Sequence, residues 1–297
     1  MSSDKTSKVT VPGIRARKSS GRREPDRIVA LTAYDYPTAR ALDEAGVDLL
    51  LVGDSLGMVV LGHDSTLPVT IDVMLHHTTA VARAKPRALV VADMPFLSYH
   101  TSPADAVRNG GRFLQEAGAE AVKLEGGRRR LPMIRALVEA DIPVMGHIGL
   151  TPQSVNRLGG YRVQGRDSAS VDSLLEDARA LEEAGVFSLV LEAMPAEVGR
   201  IVTESIGIPT IGIGAGPHCD GQILVIHDLV GFSQNTPPRF VRRYAQIART
   251  MTRAAEEFAG DVRASRFPAP EESYPCPEDL ARRLTMRSER MGARQRS

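Results

Sequence analysis

A helix end, a short apolar run and then a polar residue recur along this chain, and the recurrence narrows the folds open to it. EAGVDLLLVGD runs to Asp54, EAGAEAVKLEG carries Glu125, EADIPVMGHIG carries His147 and EAGVFSLVLEA carries Glu192. A fifth run, ALVVAD, ends on Asp93. Near-continuous apolar strands are those buried on both faces, as in parallel sheets covered by helices. Alternating strand and helix implies right-handed parallel crossovers. Eight such strands are readable, at 28–33, 48–53, 88–92, 119–124, 142–146, 187–191, 209–213 and 223–226. Helix-like stretches at 37–45, 71–84, 103–117, 131–140, 169–184 and 196–205 separate most of them. Ser102-Pro103 reads as an N-cap followed by proline at N1, and Gly46, Gly118 and Gly185 stand where helices end. The expected architecture is a single (β/α)8 barrel, and 297 residues suit it.

In such a barrel the C-terminal strand ends converge on one mouth, where active sites lie. Asp54, Asp93 and Glu125 close three consecutive strands, so their carboxylates are candidates to share one hard cation. Three oxygen ligands leave octahedral positions for water and substrate, which suits Mg2+. The competing reading is that each acid caps a helix or pairs with an arginine. Lys123 stands two residues before Glu125 and therefore points to the same side of its strand. It binds a carboxylate, steers proton transfer or forms a structural ion pair with a neighbouring carboxylate. Glu192 is not needed for the three-carboxylate set and is a candidate general base. His147 either orients a substrate carboxylate or bonds a backbone carbonyl. The GIGAG run at 212–216 lacks the spacing and following helix of a nucleotide loop and reads as a close backbone approach to a ligand or a tight turn before strand eight.

The rest of the composition excludes more than it assigns. A formal net charge of +1 gives no reason to expect nucleic acid or an anionic membrane as partner. No run approaches the ~18 apolar residues of a membrane span. The basic N-terminus has no apolar core, so a secretory signal is not expected. The two cysteines, Cys219 and Cys276, lack metal spacing and are expected as free thiols in a cytoplasmic protein. Residues 1–25, rich in Ser, Lys and Arg, read as a disordered tail; 26–260 as the barrel; 261–297 as a C-terminal helical arm.

Seven segments carry a resemblance. They are LTAYDYPTA from Leu31, VGDSLGMVVLGHDSTLPVT from Val52, ADMPFLSYH from Ala92, AVKLEGG from Ala121, MGHIGLTPQSVNRLGGYRVQGR from Met145, LEAMPAEV from Leu191 and GIGAGPHCDGQILVIHDLVGF from Gly212. Together, and in order over roughly residues 28–275, they resemble the ketopantoate hydroxymethyltransferase family. The resemblance implies a barrel of the phosphoenolpyruvate/pyruvate type that moves a hydroxymethyl group from 5,10-methylenetetrahydrofolate to 3-methyl-2-oxobutanoate. The product is 2-dehydropantoate, on the route to pantothenate and coenzyme A. It implies Mg2+ on Asp54, Asp93 and Glu125, substrate contacts at Asp54, Ser55, Asp93 and Lys123, and Glu192 as proton acceptor. None of these positions departs from the family pattern. It also implies a homo-oligomer, often a decamer. Two rival readings are a Mg2+-dependent lyase or mutase sharing the barrel and enolate logic, and a non-catalytic barrel. The lyases generally carry a cysteine-centred motif on a mouth loop, and no such cysteine follows Glu125.

Overall fold

The computed structural model describes residues 7–18, 27–233 and 237–294. The chain divides into two units, Met1–Ala245 and Gln246–Ser297. In the first, α1 (Val11–Arg15) precedes β1 (Ile28–Thr32), and α2 (Tyr36–Glu44) leads to β2 (Leu49–Val52). Next, α3 (Leu56–Val59) and α4 (Ile71–Ala82) lead to β3 (Leu89–Asp93), α5 (Pro103–Gln115) to β4 (Ala121–Lys123), and α6 (Leu131–Glu139) to β5 (Val144–Gly149). Then come α7 (Val155–Leu158), α8 (Ser168–Glu183), β6 (Ser188–Glu192), α9 (Ala196–Ser205), β7 (Thr210–Ile213), β8 (Gly221–Leu224) and α10 (Ile226–Leu229). All eight strands pair in parallel with their chain neighbours, and β8 returns to β1 to close the barrel.

Side chains alternate across each strand, and the alternation separates two apolar clusters. Leu49, Leu51, Leu89, Val91, Ala121, Met145, Ile211 and Ile223 belong to one. Leu50, Val52, Val90, Ala92, Val122, Leu189 and Leu191 join helix residues such as Phe113, Leu137 and Leu181 in the other. The first cluster is the barrel lumen and the second the layer between strands and helices. Asp93 shares parity with Leu89 and Val91, Lys123 with Ala121, and His147 with Met145. Sequence parity therefore sends these polar side chains into the lumen at its C-terminal end.

Local sequence explains the helix boundaries. Ser102 accepts a hydrogen bond from the Asp105 N–H at the start of α5, with Pro103 in the first turn. Asp167 and Ser170 form a reciprocal capping box on α8. Gly46, Gly118 and Gly185 take left-handed conformations just past their helices. Strand eight is shifted from the reading at 223–226 to Gly221–Leu224. Gly221 lies so close to the Ile28 carbonyl that a side chain would overlap it, and the strand therefore starts on a residue of low strand propensity. Strand five runs on through His147 to Gly149. Gly149 has φ +94°, and a Cβ there would collide with the Glu192 carbonyl. That absence of a side chain lets the Leu150 N–H reach the Glu192 carbonyl at 2.9 Å, so β5 and β6 stay paired up to the mouth.

Residues 7–18 correct the expectation of a disordered tail at 1–25; positions 1–6 and 19–26 lie outside the described residues. Thr10 caps α1, whose Ile14 is fully buried in the lumen cluster together with Val9. Lys8 Nζ donates to the Pro86 and Ala88 carbonyls and to Glu120 at 3.1, 2.8 and 2.6 Å. Arg17 pairs with Asp48 at 2.8 Å, and Lys18 with Asp220 at 3.0 Å and with the Thr203 carbonyl at 2.6 Å. A polar composition hid this segment because two apolar side chains and a few directed cations suffice to dock it over the N-terminal strand ends. Ile14→Ala is expected to destabilise the protein by about 2–5 kcal/mol, the usual range for a buried Ile→Ala change. Urea denaturation checks this; a midpoint equal to wild type would return the segment to the status of a tail.

In the second unit, α11 (Ile247–Arg263) buries none of its residues, and α12 (Glu278–Arg294) follows. Met251, Phe258 and Val262 lie exposed along α11, and Phe258 meets Phe267 edge-on at 5.2 Å.

Candidate active site

Asp93 ends β3 and Lys123 ends β4, and the two are register partners. Lys123 Nζ donates to both carboxylate oxygens of Asp93, at 2.7 and 2.8 Å. Asp54 follows β2, and its backbone N–H reaches Asp93 Oδ2 at 3.4 Å. Glu125 follows Lys123 by two residues on the same side. Asp54, Asp93, Lys123 and Glu125 are all buried, each 4% exposed or less. Three carboxylates thus surround one ammonium in the lumen mouth.

The charge balance shows in the acidities. Burial, followed by the Asp93 charge, pushes the Asp54 carboxyl up to about 7, although Lys123, Gln153 and Thr66 oppose it. Burial also holds Glu125 well above the usual carboxylate range, with Lys123 opposing and Asp54, Asp93 and Glu192 reinforcing. For Lys123, burial would lower the ammonium, but Asp93, Glu125 and Asp54 outweigh it and hold it above its ordinary value. The lysine stays charged, while Asp54 and Glu125 are shifted toward their protonated forms.

His147 and Glu192 face this cluster from β5 and β6. His147 Nε2 lies 3.2 Å from Glu192 Oε2, and Nδ1 lies 3.7 Å from Glu125 Oε1. Neither ring nitrogen has a backbone carbonyl as partner, so the backbone-carbonyl reading of His147 is not what the structure holds. Burial, and then the Lys123 charge, lower its basicity despite Glu192. The ring is therefore neutral at pH 7. Glu192 differs from the other acids in access: its side chain is 15% exposed, against 3% for Glu125. Ser55 opens α3 at the rim, and its hydroxyl meets Tyr34 Oη at 2.9 Å. All seven residues singled out in the sequence thus come to one mouth.

Two residues escaped the sequence reading. Gln153 comes from the 148–167 connection, where Pro152–Ser154 forms a 3-10 turn. Its Nε2 donates to Asp54 Oδ2 at 2.9 Å and to the Met94 carbonyl at 3.0 Å, and its backbone N–H donates to Glu125 Oε2 at 3.0 Å. Tyr99 Oη donates to Gln153 Oε1 at 2.6 Å and accepts from the Glu125 N–H at 3.2 Å. The one available signal was the length of that connection, since long loops in barrels are often functional. Of the two readings of the GIGAG run, the structure holds the turn: Gly212 and Ile213 end β7 and 214–216 start the turn toward β8, with Gly216 pressed against Ala196.

The carboxylate set offers hard oxygen donors, which fits a divalent cation such as Mg2+. Among the described residues, the side chains are not gathered in groups of three around one ligating point. They are arranged instead about Lys123 and Gln153.

Similar solved structures share its fold. Phosphoenolpyruvate phosphomutase from Streptomyces platensis subsp. rosaceus superposes with a TM-score of 0.57 at 15% identity, covering 97% of this chain and 99% of that one. A 2,3-dimethylmalate lyase of the PEP mutase/isocitrate lyase superfamily gives 0.54 at 18% identity, covering 94% and 98%. At such identities the likeness speaks for the barrel alone. Sequence relatives are far nearer. The 3-methyl-2-oxobutanoate hydroxymethyltransferase of Moorella thermoacetica is 56% identical over 268 residues, covering 90% of this chain and 98% of that protein. The protein of the same name from Trichlorobacter lovleyi is 55% identical over 267 residues, with the same coverage. The profile of the ketopantoate hydroxymethyltransferase family matches residues 8–270. With the buried carboxylates and Lys123 standing in the segments that carry this match, the chain belongs to the ketopantoate hydroxymethyltransferase family.

Proposed function

We propose that this enzyme transfers a hydroxymethyl group from 5,10-methylenetetrahydrofolate to 3-methyl-2-oxobutanoate, giving 2-dehydropantoate. The observation that carries the reading is the buried set Asp54, Asp93 and Glu125 around Lys123, with the more open Glu192 across from it. Asp54, Asp93 and Glu125 are the residues that would hold Mg2+. When bound, the cation supplies Lewis-acid polarisation of the oxo acid and lowers the energy of its enolate. Glu192 takes the C3 proton, as the carboxylate with access to an arriving substrate. His147, neutral and beside Glu192, fixes the direction of that carboxylate. Lys123 stays protonated and offsets negative charge that develops on the substrate oxygens. Ser55, braced by Tyr34, holds the substrate carboxylate at the rim. C3 then bonds to the folate-borne methylene carbon; the bond from that carbon to the folate nitrogen breaks, water supplying the hydroxyl to carbon and a proton to nitrogen, which leaves 2-dehydropantoate and tetrahydrofolate.

The exposed row Met251, Phe258 and Val262 supports assembly with further copies of the chain, and a decamer is the state proposed. No described helix is long and apolar enough to cross a membrane, and the proposed location is the cytoplasm. The test is an assay with purified protein, MgCl2, tetrahydrofolate, formaldehyde and 3-methyl-2-oxobutanoate, read by mass spectrometry. 2-Dehydropantoate should form, and should vanish on omitting tetrahydrofolate or adding excess chelator. Absence of product in the complete mixture would sink the activity. Undiminished product in either omission would remove that component alone.

A further inference from the structure

Gln153 is fully engaged, and its partners fix which way its amide points. The two groups on the Nε2 side, Asp54 Oδ2 and the Met94 carbonyl, are acceptors. On the other side, Tyr99 Oη already accepts from the Glu125 N–H, so its own proton goes to Gln153 Oε1. The chain of donors therefore runs from Glu125 N–H through Tyr99 and the Gln153 amide to Asp54. A second donor, the Gln153 backbone N–H, takes Glu125 Oε2. One residue thus ties down one oxygen of each of two carboxylates that lie 99 and 28 positions away in sequence.

We propose that Gln153 is a positioning residue for cation binding. Resting on the reading of Asp54 and Glu125 as cation ligands, it holds both carboxylates in the rotation that presents Asp54 Oδ1 and Glu125 Oε1 for ligation. Tyr99 keys the amide so that its donor end faces Asp54. A carboxylate free to rotate would present either oxygen, and the buried Asp54 would lose the directed donor that keeps it in register with Asp93. Groups that orient metal ligands in this way typically change metal affinity or activity by about 10–100-fold when removed.

The experiment titrates Mn2+ into purified full-length protein without substrate and follows free Mn2+ by electron paramagnetic resonance. Gln153→Met keeps the volume and the backbone N–H but removes both amide donors. It should weaken Mn2+ binding by about 10–100-fold. In a Tyr99→Phe background the same change should weaken binding by a clearly smaller factor than in wild type, because Tyr99 acts through the amide that the change removes. A purely structural role would give the same factor in both backgrounds, and that result overturns the proposal. So does wild-type affinity in Gln153→Met. If Gln153→Met does not fold, Tyr99→Phe should still weaken binding by about 10-fold, the low end of an orienting effect, and unchanged affinity there overturns the proposal equally. Wild-type protein that takes up no Mn2+ sinks the cation reading and the proposal with it. Wild-type uptake alongside an unaffected Gln153→Met sinks the proposal alone.

Discussion

Glu192→Gln is expected to lose solvent exchange of the C3 proton of 3-methyl-2-oxobutanoate by about 10²–10⁴-fold, the usual cost of removing a general base. The amide keeps the shape and volume of the side chain but cannot accept the proton. Oxo-acid binding should survive, because Asp54, Asp93, Glu125 and Lys123 are untouched. Glu192 is favoured over its neighbours by access. Glu125 is enclosed between Gln153 and His147, and Asp93 is held at both oxygens by Lys123. The measurement is deuterium incorporation at C3, followed by NMR without folate, so that only proton removal is read. Exchange at the wild-type rate would move the role to another group at the mouth.

Lys123→Met should cost the protein about 3–5 kcal/mol, the range for breaking a buried ion pair by removing one partner. Methionine fills the volume, so packing is nearly conserved and the loss is electrostatic. Three buried carboxylates would remain without a cation, and Asp54 and Glu125 are already raised in pKa with the lysine present. Proton uptake by these acids relieves part of the strain. Added Mg2+ should restore some stability, about 2.7 kcal/mol at a hundred times its dissociation constant. Urea denaturation with and without MgCl2 reads both effects. A variant as stable as wild type in the absence of cation would mean that the anion excess is neutralised by other means.

These residues were legible in the sequence for a simple reason. Strand-end acids and the two-residue spacing of Lys123 and Glu125 are properties of one strand at a time, and a parallel barrel brings strand ends together whatever their order. The eight strands were legible on the same ground, because apolar runs between helix caps need no knowledge of the whole. Gln153 and Tyr99 were not. Each matters through where its loop returns in space, and an amide among Thr, Pro and Ser carries no periodic signal. The docking of residues 7–18 was hidden similarly: its lysines and arginines read as solvated charge until their acceptors at Ala88, Glu120, Asp48 and Asp220 lie opposite them. Strand eight was displaced by two residues because Gly221 is selected for closeness to Ile28, which propensity cannot register.

The N-terminal strap also bears on how the chain reaches this structure. Lys18 meets Asp220 across 202 positions of sequence, and Ile28 pairs with Gly221 in the seam that closes the barrel. Both contacts join the earliest part of the chain to its last strand, and such distant pairings slow folding because loop closure precedes their reward. On a ribosome adding about 5–20 residues each second, β1 waits on the order of 10–40 s for β8 to be made. Through that interval Val9 can already meet Arg87 and Arg17 can meet Asp48, whereas the Lys18–Asp220 pair and the seam wait for β8. The end of the N-terminal segment and the seam then close together, so lesions at residue 18 and at residue 220 should slow the same late folding step although they lie at opposite ends of the barrel's sequence.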